Sequence, residues 1–375
     1  MKNRRLWINV LRVVFSALLL VVLYKLIHFE DEYVLPKDRH VPARDVRMEG
    51  DGYRVGTEWF PAKDVELREG FVSIFRRMKR TTYLAIAPGF LIVFALLALR
   101  WHILLRAHGF PVGFGSVFAV TYMGGFFNNF LPGSVGGDIA RALIAARGEE
   151  RKAALVGTIL LDRIVGLAAM VLLAAVCVVP FVRDPAMRRP VVLVGILFVG
   201  MVGGYFAYFS RAVRRLPFVN GLKGKGKVGE VLRDLDGTLH ILKHRKGTVA
   251  LCLLLSFLAQ SVCILLIFGL ALGLRISGVS LVQFFVFEPI IFIATAVPVS
   301  AGGWGVQEWT YVQLFGPAGV SRNAAVALSL LYKLTLVFVT VPGGILFALG
   351  AARRRRESGT GSQVGGAAGD VPAHR

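Results

Sequence analysis

Seven charged residues lie within stretches of the chain that are otherwise apolar. They are Asp138, Arg141, Asp162, Arg163, Glu288, Glu308 and Lys333, and the first of them follows two amides, Asn128 and Asn129. A charge at membrane depth is costly, so such residues usually face a partner or a water-filled path. Arginine and amide groups suit an anionic or hydroxylated ligand, and carboxylates can accept amines or carry a proton. We therefore treat all nine residues as candidates for a binding site.

Some of these residues also have simpler interpretations. Asp162 and Arg163 fit a helix-packing ion pair as well as a binding role. Lys333 fits a snorkelling lysine, or a lysine paired with one of the glutamates. Arg141 and the two glutamates favour a binding role, because they lie near breaks in the apolar segments.

Two of these breaks share the pattern Pro-x-Ser-x-Gly-Gly. It occurs as Pro132-Gly-Ser134-Val-Gly136-Gly137 and as Pro298-Val-Ser300-Ala-Gly302-Gly303. Proline and paired glycines end a helix and allow backbones to approach closely. Matching breaks in the two halves of a membrane protein point to a substrate site where the halves meet. The serines and glycines of both turns therefore join the candidate residues.

Composition and long apolar runs predict a membrane protein. Of 375 residues, 55% are hydrophobic and 18% are charged. A helix needs about 20 apolar residues to cross a bilayer. Six runs reach or approach this length: Leu6–Ile27, Thr82–Leu105, Leu155–Phe181, Val191–Phe209, Val249–Leu274 and Ala324–Leu349. Two further runs, Val112–Leu131 and Leu281–Val297, stop at a proline.

The distribution of basic residues predicts how these runs cross the membrane. The start of the chain, the loop 210–248 and the tail are basic, which places all three in the cytoplasm. Both proline-terminated runs must then return to the side from which they enter. We predict an all-α polytopic membrane protein with about six full spans and two oppositely oriented re-entrant hairpins, in an inverted-repeat arrangement. The two turns should meet around one polar cavity.

The sequence divides into four segments. Residues 1–27 form an uncleaved first span, and residues 28–80 form a small external polar insert, either a strand-containing cap or a loosely folded loop. Residues 81–350 form the main transmembrane domain, and residues 351–375 form a disordered basic cytoplasmic tail. We expect a multi-pass protein of the inner (cytoplasmic) membrane with both termini in the cytoplasm.

Several other classes of protein are disfavoured. The net charge of +21 lies mostly in short loops beside the spans, so anionic lipid headgroups are nearer partners than nucleic acid. A glycine pattern at Gly224–Gly229 lacks a preceding strand, and His240 and His244 lack a third metal ligand. We find no catalytic motif, and we expect no enzyme activity, no cofactor and no metal.

The motif set resembles one known family. The residues that carry the resemblance are Asn128-Asn-Phe-Leu-Pro-Gly-Ser-Val-Gly-Gly-Asp138-Ile-Ala-Arg141, Asp162-Arg163-Ile-Val-Gly166 and Pro298-Val-Ser-Ala-Gly-Gly-Trp-Gly-Val-Gln-Glu308. Together they resemble the lysylphosphatidylglycerol synthase transmembrane-region family, also described as flippase-like integral membrane proteins. The resemblance extends from about Thr82 to Gly350 and implies lipid transport. Members with a C-terminal aminoacyl-transferase domain make the lipid that they flip, and we expect this chain to be a stand-alone member without that activity.

The first functional hypothesis is a lipid translocator, which moves a polar or anionic headgroup of a phospholipid or glycolipid between leaflets. Helix N-termini after each turn offer N–H groups to a phosphate, and Arg141 and Arg163 add charge. Glu288 and Glu308 balance that charge, accept headgroup hydroxyls or amines, or carry a proton.

Two alternatives belong to other functional classes. The first is a membrane-embedded transferase acting on a lipid-linked sugar or phosphate, with Asp138, Asp162 and Glu308 as its acids. The second is a non-transporting partner of an enzyme that makes envelope lipids. A metal requirement would favour the transferase, and site variants that retain full cell function would favour the partner.

Overall fold

The protein is described here by a computed structural model. It covers residue 21 and residues 24–25, 29–36, 39–131, 136–147, 149–209, 245–297, 299–300 and 302–364. Ser134, the basic segment 210–244, the end of the tail and nearly all of the predicted first span lie outside the described residues.

The described chain is mainly helical, with a small β-region near its start. The strands are β1 (Glu32–Leu35), β2 (Arg39–Pro42), β3 (Val46–Glu49), β4 (Gly52–Val55), β5 (Glu58–Pro61) and β6 (Glu66–Arg68). The helices before the central segment are α1 (Phe71–Arg76), α2 (Arg80–Ile86), α3 (Phe90–Ala107), α4 (Phe114–Asn128), α5 (Gly136–Ala145), α6 (Lys152–Cys177) and α7 (Arg188–Phe209). The helices after it are α8 (Lys246–Gly273), α9 (Leu281–Ala296), α10 (Val306–Phe315) and α11 (Arg322–Val364).

Five helical stretches are long and apolar enough to cross a membrane. They are Arg80–Ala107, Lys152–Cys177, Pro185–Gly204, Lys246–Gly273 and Arg322–Gly350. They coincide with five of the six predicted spans, and the prediction of a helical membrane protein is confirmed. Helix α11 runs on to Val364, and so includes the first part of the segment that we expected to be disordered.

The two segments predicted as hairpins each form two short helices separated by a turn. The first hairpin consists of α4 and α5, and the second consists of α9 and α10. In the second hairpin the entry and exit ends touch, since the rings of Phe284 and Phe315 lie 5.0 Å apart. In the first, Val117 near the start of α4 and Ala145 at the end of α5 belong to the same hydrophobic cluster. In both segments, the end of the second short helix therefore lies near the start of the first.

The helices preceding the two hairpins pack against each other in opposite directions. The contacts join the beginning of one helix to the end of the other: Thr82 to Gly273, Ile86 to Gly269, Gly89 to Leu266 and Arg100 to Ser256. The sum of the two residue numbers stays nearly constant along the interface, which is the property of an antiparallel pair.

Two further helix contacts correspond to each other in the two halves. Helix α11, which follows the second hairpin, packs on α4 of the first hairpin. Helix α6, which follows the first hairpin, packs on α9 of the second. Corresponding helices thus exchange partners, which is the contact pattern expected of two halves related by a two-fold axis across the antiparallel pair.

The insert contains an internal repeat that our sequence analysis missed. The repeat pairs Val41-Pro-Ala-Arg-Asp-Val46 with Phe60-Pro-Ala-Lys-Asp-Val65. Each copy forms two strands, a short 3-10 turn and a third strand, but the third strands are exchanged: the sheet orders are β2-β1-β6 and β3-β4-β5. A shared core of Leu35, Val41 and Val55 lies between the sheets. The insert is thus one interlocked unit.

We predict that a disulfide will form between α2 and the end of α8. A Cβ at Gly273 would lie 3.8 Å from the Cβ of Thr82, within the usual disulfide range of about 3.5–4.5 Å. In a variant with Cys177, Cys252 and Cys263 replaced by serine, Thr82→Cys with Gly273→Cys should lose both reactive thiols on oxidation. Alkylation with a maleimide–polyethylene glycol measures this.

The control for this cross-link is Thr82→Cys combined with Val249→Cys. Val249 lies 24 residues before Gly273 on the same helix, about 36 Å away along its axis. Oxidation should leave both thiols of the control reactive. Cross-linking of the control instead would show that the two helices run parallel.

We also predict that Gly137→Ala will destabilise the protein. A Cβ at Gly137 would overlap the carbonyl oxygen of Gly124 and lie 2.6 Å from the side-chain oxygen of Asn128. Such overpacking costs about 1–3 kcal/mol, so thermal unfolding in detergent should begin at a lower temperature. Gly195→Ala is the matched control, since nothing lies within 4 Å of its added Cβ. Equal unfolding temperatures for the two variants would contradict the close packing of α4 on α5.

Candidate functional site

A cavity of about 170 Å³ lies between the first hairpin and the antiparallel helix pair. By this measure one water needs about 10–15 Å³, so the cavity has room for several waters or a small polar group. Its polar lining residues are Arg100, Thr121, Asn128, Asp138, Arg141, Asp162, Arg163, Ser256 and Gln260. Five of the sequence-predicted candidates therefore come together here, from α4, α5 and α6.

Asp162 is held mainly by Arg100, a residue that sequence reasoning missed. The Arg100 Nε donates to Asp162 Oδ1 at 2.7 Å, and its Nη1 donates to Ser256 Oγ at 2.8 Å. All three residues are buried. Arg100 lies on α3, Ser256 on α8 and Asp162 on α6, so these two hydrogen bonds connect the antiparallel helices to α6. This arrangement supports the helix-packing role for Asp162 that the sequence left open.

Arg141 is bound much more weakly than Arg100. Its Nη1 lies 3.2 Å from Asp138 Oδ1, and its two Nη atoms lie 3.4 and 3.5 Å from Asp162 Oδ2. These are long for charge-assisted hydrogen bonds, which usually measure about 2.7–2.9 Å. The buried Nε of Arg141 has no hydrogen-bond partner among the described residues. Donor capacity therefore remains on a buried guanidinium group that lines the cavity.

Aromatic and acidic neighbours fix the position of Arg141. Its guanidinium carbon lies 4.1 Å from the centre of the Trp101 ring, a favourable cation–π distance. Asp138, one helical turn before it on α5, also pairs with Arg163 from α6. Arg163 thus bridges the second arm of the hairpin to the neighbouring span.

The cavity has an excess of positive charge. Three arginines (Arg100, Arg141 and Arg163) and two aspartates (Asp138 and Asp162) line it, which leaves a net charge of +1. In a medium of low dielectric constant one uncompensated charge exerts a strong field. The site is therefore suited to a ligand group with a single negative charge.

The two asparagines stabilise the first turn. Asn128 Oδ1 accepts a hydrogen bond from Gly137 N–H at 2.7 Å. Asn129 donates through Nδ2 to Thr340 Oγ1 on α11 at 3.0 Å. Asn128 also lines the cavity, whereas Asn129 connects the hairpin to the other half of the protein.

The two turns meet directly, as we predicted. Gly302 N–H of the second turn donates to the Leu131 carbonyl of the first at 3.0 Å, and Trp304 Nε1 lies 3.4 Å from the Asn129 carbonyl. A side chain at Gly302 would overlap that same carbonyl, and its φ of +54° also favours glycine. Glycine is therefore required at this contact.

The N–H groups that we expected to be free for a phosphate are partly used by the protein. Gly137 N–H bonds to Asn128, Gly302 N–H bonds to Leu131, and Gly305 N–H donates to Glu308 Oε2 at 2.6 Å. The expectation was wrong at these positions because side chains and the facing turn satisfy the helix ends.

The candidates of the second half lie outside the cavity lining, as do Asn129, Gly136 and Gly137 of the first half. Glu308 caps α10 and lies 3.4 Å from Ser329 Oγ. Lys333 stacks 4.6 Å above the Trp304 ring, and its Nζ has no hydrogen-bond partner among the described residues. Ser300 is buried, as is Glu288, and a Cβ at Gly303 would lie 3.6 Å from Lys333 Nζ. The cavity is thus lined by residues of α3, α4, α5, α6 and α8, with Phe292 as the contribution of the second hairpin. The expectation that both turns line one polar cavity was therefore wrong for the second turn, because its residues contact the first turn and α11 instead.

The sequence did contain a signal for Arg100. It is a charged residue in the interior of the apolar run Thr82–Leu105, which is the same property that marked Asp162 and Lys333 as candidates. Within the described parts of the chain, no group of three or more His, Cys, Asp or Glu side chains comes together as a metal ion would require.

Comparisons with known proteins agree with this architecture. The family described as "Lysylphosphatidylglycerol synthase TM region" matches residues 65–343. A UPF0104 membrane protein of Pyrococcus horikoshii is 23% identical over 273 residues, which cover 66% of this chain and 81% of the relative. No solved structure matches the chain. The family match spans most of the chain and includes both turns and the charged cavity, so this protein belongs to the lysylphosphatidylglycerol synthase transmembrane-region family.

Proposed function

We propose that this protein is a flippase-like lipid translocator, which moves an anionic or polar phospholipid or glycolipid headgroup between leaflets. Arg141 is the observation that carries the proposal. It is a buried cation in a cavity of net positive charge, with long contacts to its acidic neighbours and an unused Nε donor.

The expected ligand group is a phosphodiester or a comparable anion. It would approach Arg141 from the cavity and replace the weak contacts to Asp138 and Asp162. Those aspartates would remain neutralised, because Arg163 holds the first and Arg100 holds the second. Binding would thus exchange poor hydrogen bonds for charge-assisted ones without leaving a buried charge unpaired.

The helix directions support a re-entrant topology. Helices α3 and α8 run antiparallel, and the first hairpin, α6 and α7 lie between them in the chain. Suppose that α6 and α7 each cross the membrane once and that residues 210–244 stay on one side. The antiparallel directions of α3 and α8 then require that the first hairpin begins and ends on the same side of the membrane. For the second hairpin, the end of α8 and the start of α11 both contact the last part of the insert, through Lys79–Gly273 and Glu69–Asn323 bonds.

Opposed hairpins provide a physical route for a headgroup. A two-fold axis across the antiparallel pair lies in the plane of the membrane, so each hairpin enters from a different side. Tips that meet through Gly302 and Leu131 place one polar site within reach of both surfaces by a small rocking movement. Lipid tails would remain in the bilayer during this movement.

The proposal extends to location, partners and class. We place the protein in the inner membrane, with both termini in the cytoplasm. Its proposed partners are anionic lipid headgroups at the basic loops and an enzyme of lipid synthesis, and we propose no nucleic-acid partner. A transferase would need available carboxylates, but Asp138 and Asp162 are paired with arginine and Glu308 caps a helix. We therefore propose a transporter, not an enzyme.

Arg141→Ala should reduce lipid movement by at least about tenfold, since hydrogen bonds to charged groups contribute about 1.5–3 kcal/mol. The assay uses phosphatidylcholine–phosphatidylglycerol vesicles that contain the purified protein, with phosphatidylglycerol labelled on its tail as the probe. Chemical quenching of the outer leaflet reports the fraction of probe that has moved. Folding should survive, because both aspartates keep another arginine.

Arg147→Ala is the matched control, because it removes an exposed arginine near the same short helix. It should leave lipid movement unchanged. If Arg141→Ala instead lowered the yield of folded protein but left full activity per molecule, Arg141 would be a packing residue and the proposed site would be wrong.

The topology predicts which positions can be labelled from outside. Met48 in the insert is 75% exposed, and Met48→Cys should react with a membrane-impermeant maleimide in intact spheroplasts. Lys225→Cys, in the basic central loop, should react only after lysis. The reverse pattern would overturn the orientation, and equal reaction of both before lysis would overturn the membrane separation of the two segments.

A further inference from the structure

Glu288 differs from the other embedded acids in what neutralises it. Asp138 and Asp162 each bond to arginine, and Glu308 accepts a backbone N–H. Glu288 is 6% exposed, and its hydrogen-bond partner is a neutral phenol, the Tyr311 O–H, at 2.6 Å from Oε1. Within the described residues, no lysine, arginine or histidine lies within salt-bridge distance of it.

The groups that face Glu288 from neighbouring helices are also neutral in their ordinary states. Tyr311 comes from α10, Cys263 from α8 and Tyr332 from α11, and all three are close enough to interact with it electrostatically. The Cys263 thiol lies 3.8 Å from the Tyr332 hydroxyl. Helices α6 and α7 also pack on α9 but place no charged side chain within salt-bridge distance of Glu288 in the described structure.

A carboxylate in these surroundings lacks a counter-charge, while a protonated carboxyl needs none. This part of α9 lies in a hydrophobic cluster, in which its own Phe284, Phe287 and Ile291 pack with apolar residues of α8, α10 and α11. Removing a charge from water without a partner is costly, so a change in water access should change the proton occupancy of this group. Tyr311 can serve both states, because its hydroxyl can donate to the carboxylate or accept from the protonated acid.

Glu288 is also placed to influence the cavity. Phe292, one helical turn further along α9, lines the same cavity as Asp162 and Arg163. The next residue after Glu288 is Pro289, which cannot donate a backbone hydrogen bond and leaves the Phe285 carbonyl without its helical partner. A change in the hydrogen bond between Glu288 of α9 and Tyr311 of α10 can therefore move Phe292 in the cavity wall, because α9 lacks a backbone hydrogen bond at Pro289.

We propose that Glu288 binds one proton and carries it in the same direction as each lipid headgroup, so that the proton gradient drives translocation. This inference rests on the proposed function. The carboxylate takes up a proton on the acidic side and releases it on the alkaline side, and no other bond forms or breaks. One proton with one singly charged phosphodiester is electrically neutral, so membrane voltage does not oppose the step.

The experiment measures where a lipid accumulates under a pH difference. Vesicles of phosphatidylcholine and phosphatidylglycerol contain the full-length protein, tail-labelled phosphatidylglycerol as the probe and a pH-sensitive dye inside. One pH unit should enrich the probe in the leaflet on the alkaline side by up to about tenfold, since one unit corresponds to a tenfold equilibrium factor for one proton. The dye should report proton movement in step with the probe.

Glu288→Gln keeps a hydrogen-bond acceptor for Tyr311 but cannot ionise, so it should distribute the probe equally and move no protons. Glu58→Gln is the control, because Glu58 is exposed in the insert and pairs with Arg39. It should behave as the unmodified protein. Protein-free vesicles correct for unaided movement of the probe.

Each outcome separates the two proposals. Enrichment that disappears in Glu288→Gln supports proton coupling. If the unmodified protein moves the probe without enrichment or proton movement, or if Glu288→Gln retains both, coupling is wrong and translocation stands. If the unmodified protein moves no probe under any gradient, the proposed function itself is wrong. If Glu288→Gln fails to fold, the dye signal of the unmodified protein decides whether protons move with the probe, and its absence would overturn proton coupling.

Discussion

A buried carboxylate in an apolar environment needs an opposite charge or hydrogen-bond donors beside it, and Arg100 supplies both to Asp162. The arrangement organises the first half of the protein, because it connects α6 to α3 and, through Ser256, to α8. It also explains why Arg141 is available. Once Arg100 has taken the short contact to Asp162, Arg141 retains only long contacts and an unused donor.

Close backbone contact is the second constraint, and glycine makes it possible. Gly124 and Gly137 allow the two arms of the first hairpin to touch, and Gly302 allows the second turn to reach the carbonyls of the first. The backbone hydrogen bond from Gly302 to Leu131 connects the tips of the two hairpins directly. A displacement of one tip must therefore be transmitted to the other or break this bond.

Much of this arrangement could be predicted from the sequence, because hydrophobic length and repeated breaks are local properties. Five spans, the two turns and their contact followed from these properties. The separation of the embedded charges into cavity-lining residues of the first half and residues outside the cavity in the second half could not be predicted, since it depends on which helices pack together. Glu308 offers an example: its spacing after a turn suggested a ligand-facing group, but it bonds back to Gly305. Strand exchange in the insert was likewise hidden, because a repeated sequence does not specify which copy supplies the third strand.

The two halves have the same order of helices but different embedded side chains, and the cost of placing charges in a membrane explains this difference. When the two turns are aligned, Trp304 corresponds to Asp138 and Gln307 to Arg141. An approximate two-fold relation makes the inward and outward arrangements of the backbone similar in energy, which an alternating mechanism requires. A duplicate set of buried charges would add a second desolvation cost and a second binding site that competes for the same headgroup. Concentrating the arginines in one half avoids both effects. In the other half Gln307 bonds to Ser329, and Lys333 lies over Trp304. Among the described acids of that half, Glu288 has a phenol as its hydrogen-bond partner, so under the proposed mechanism it would respond to protons without attracting the anion.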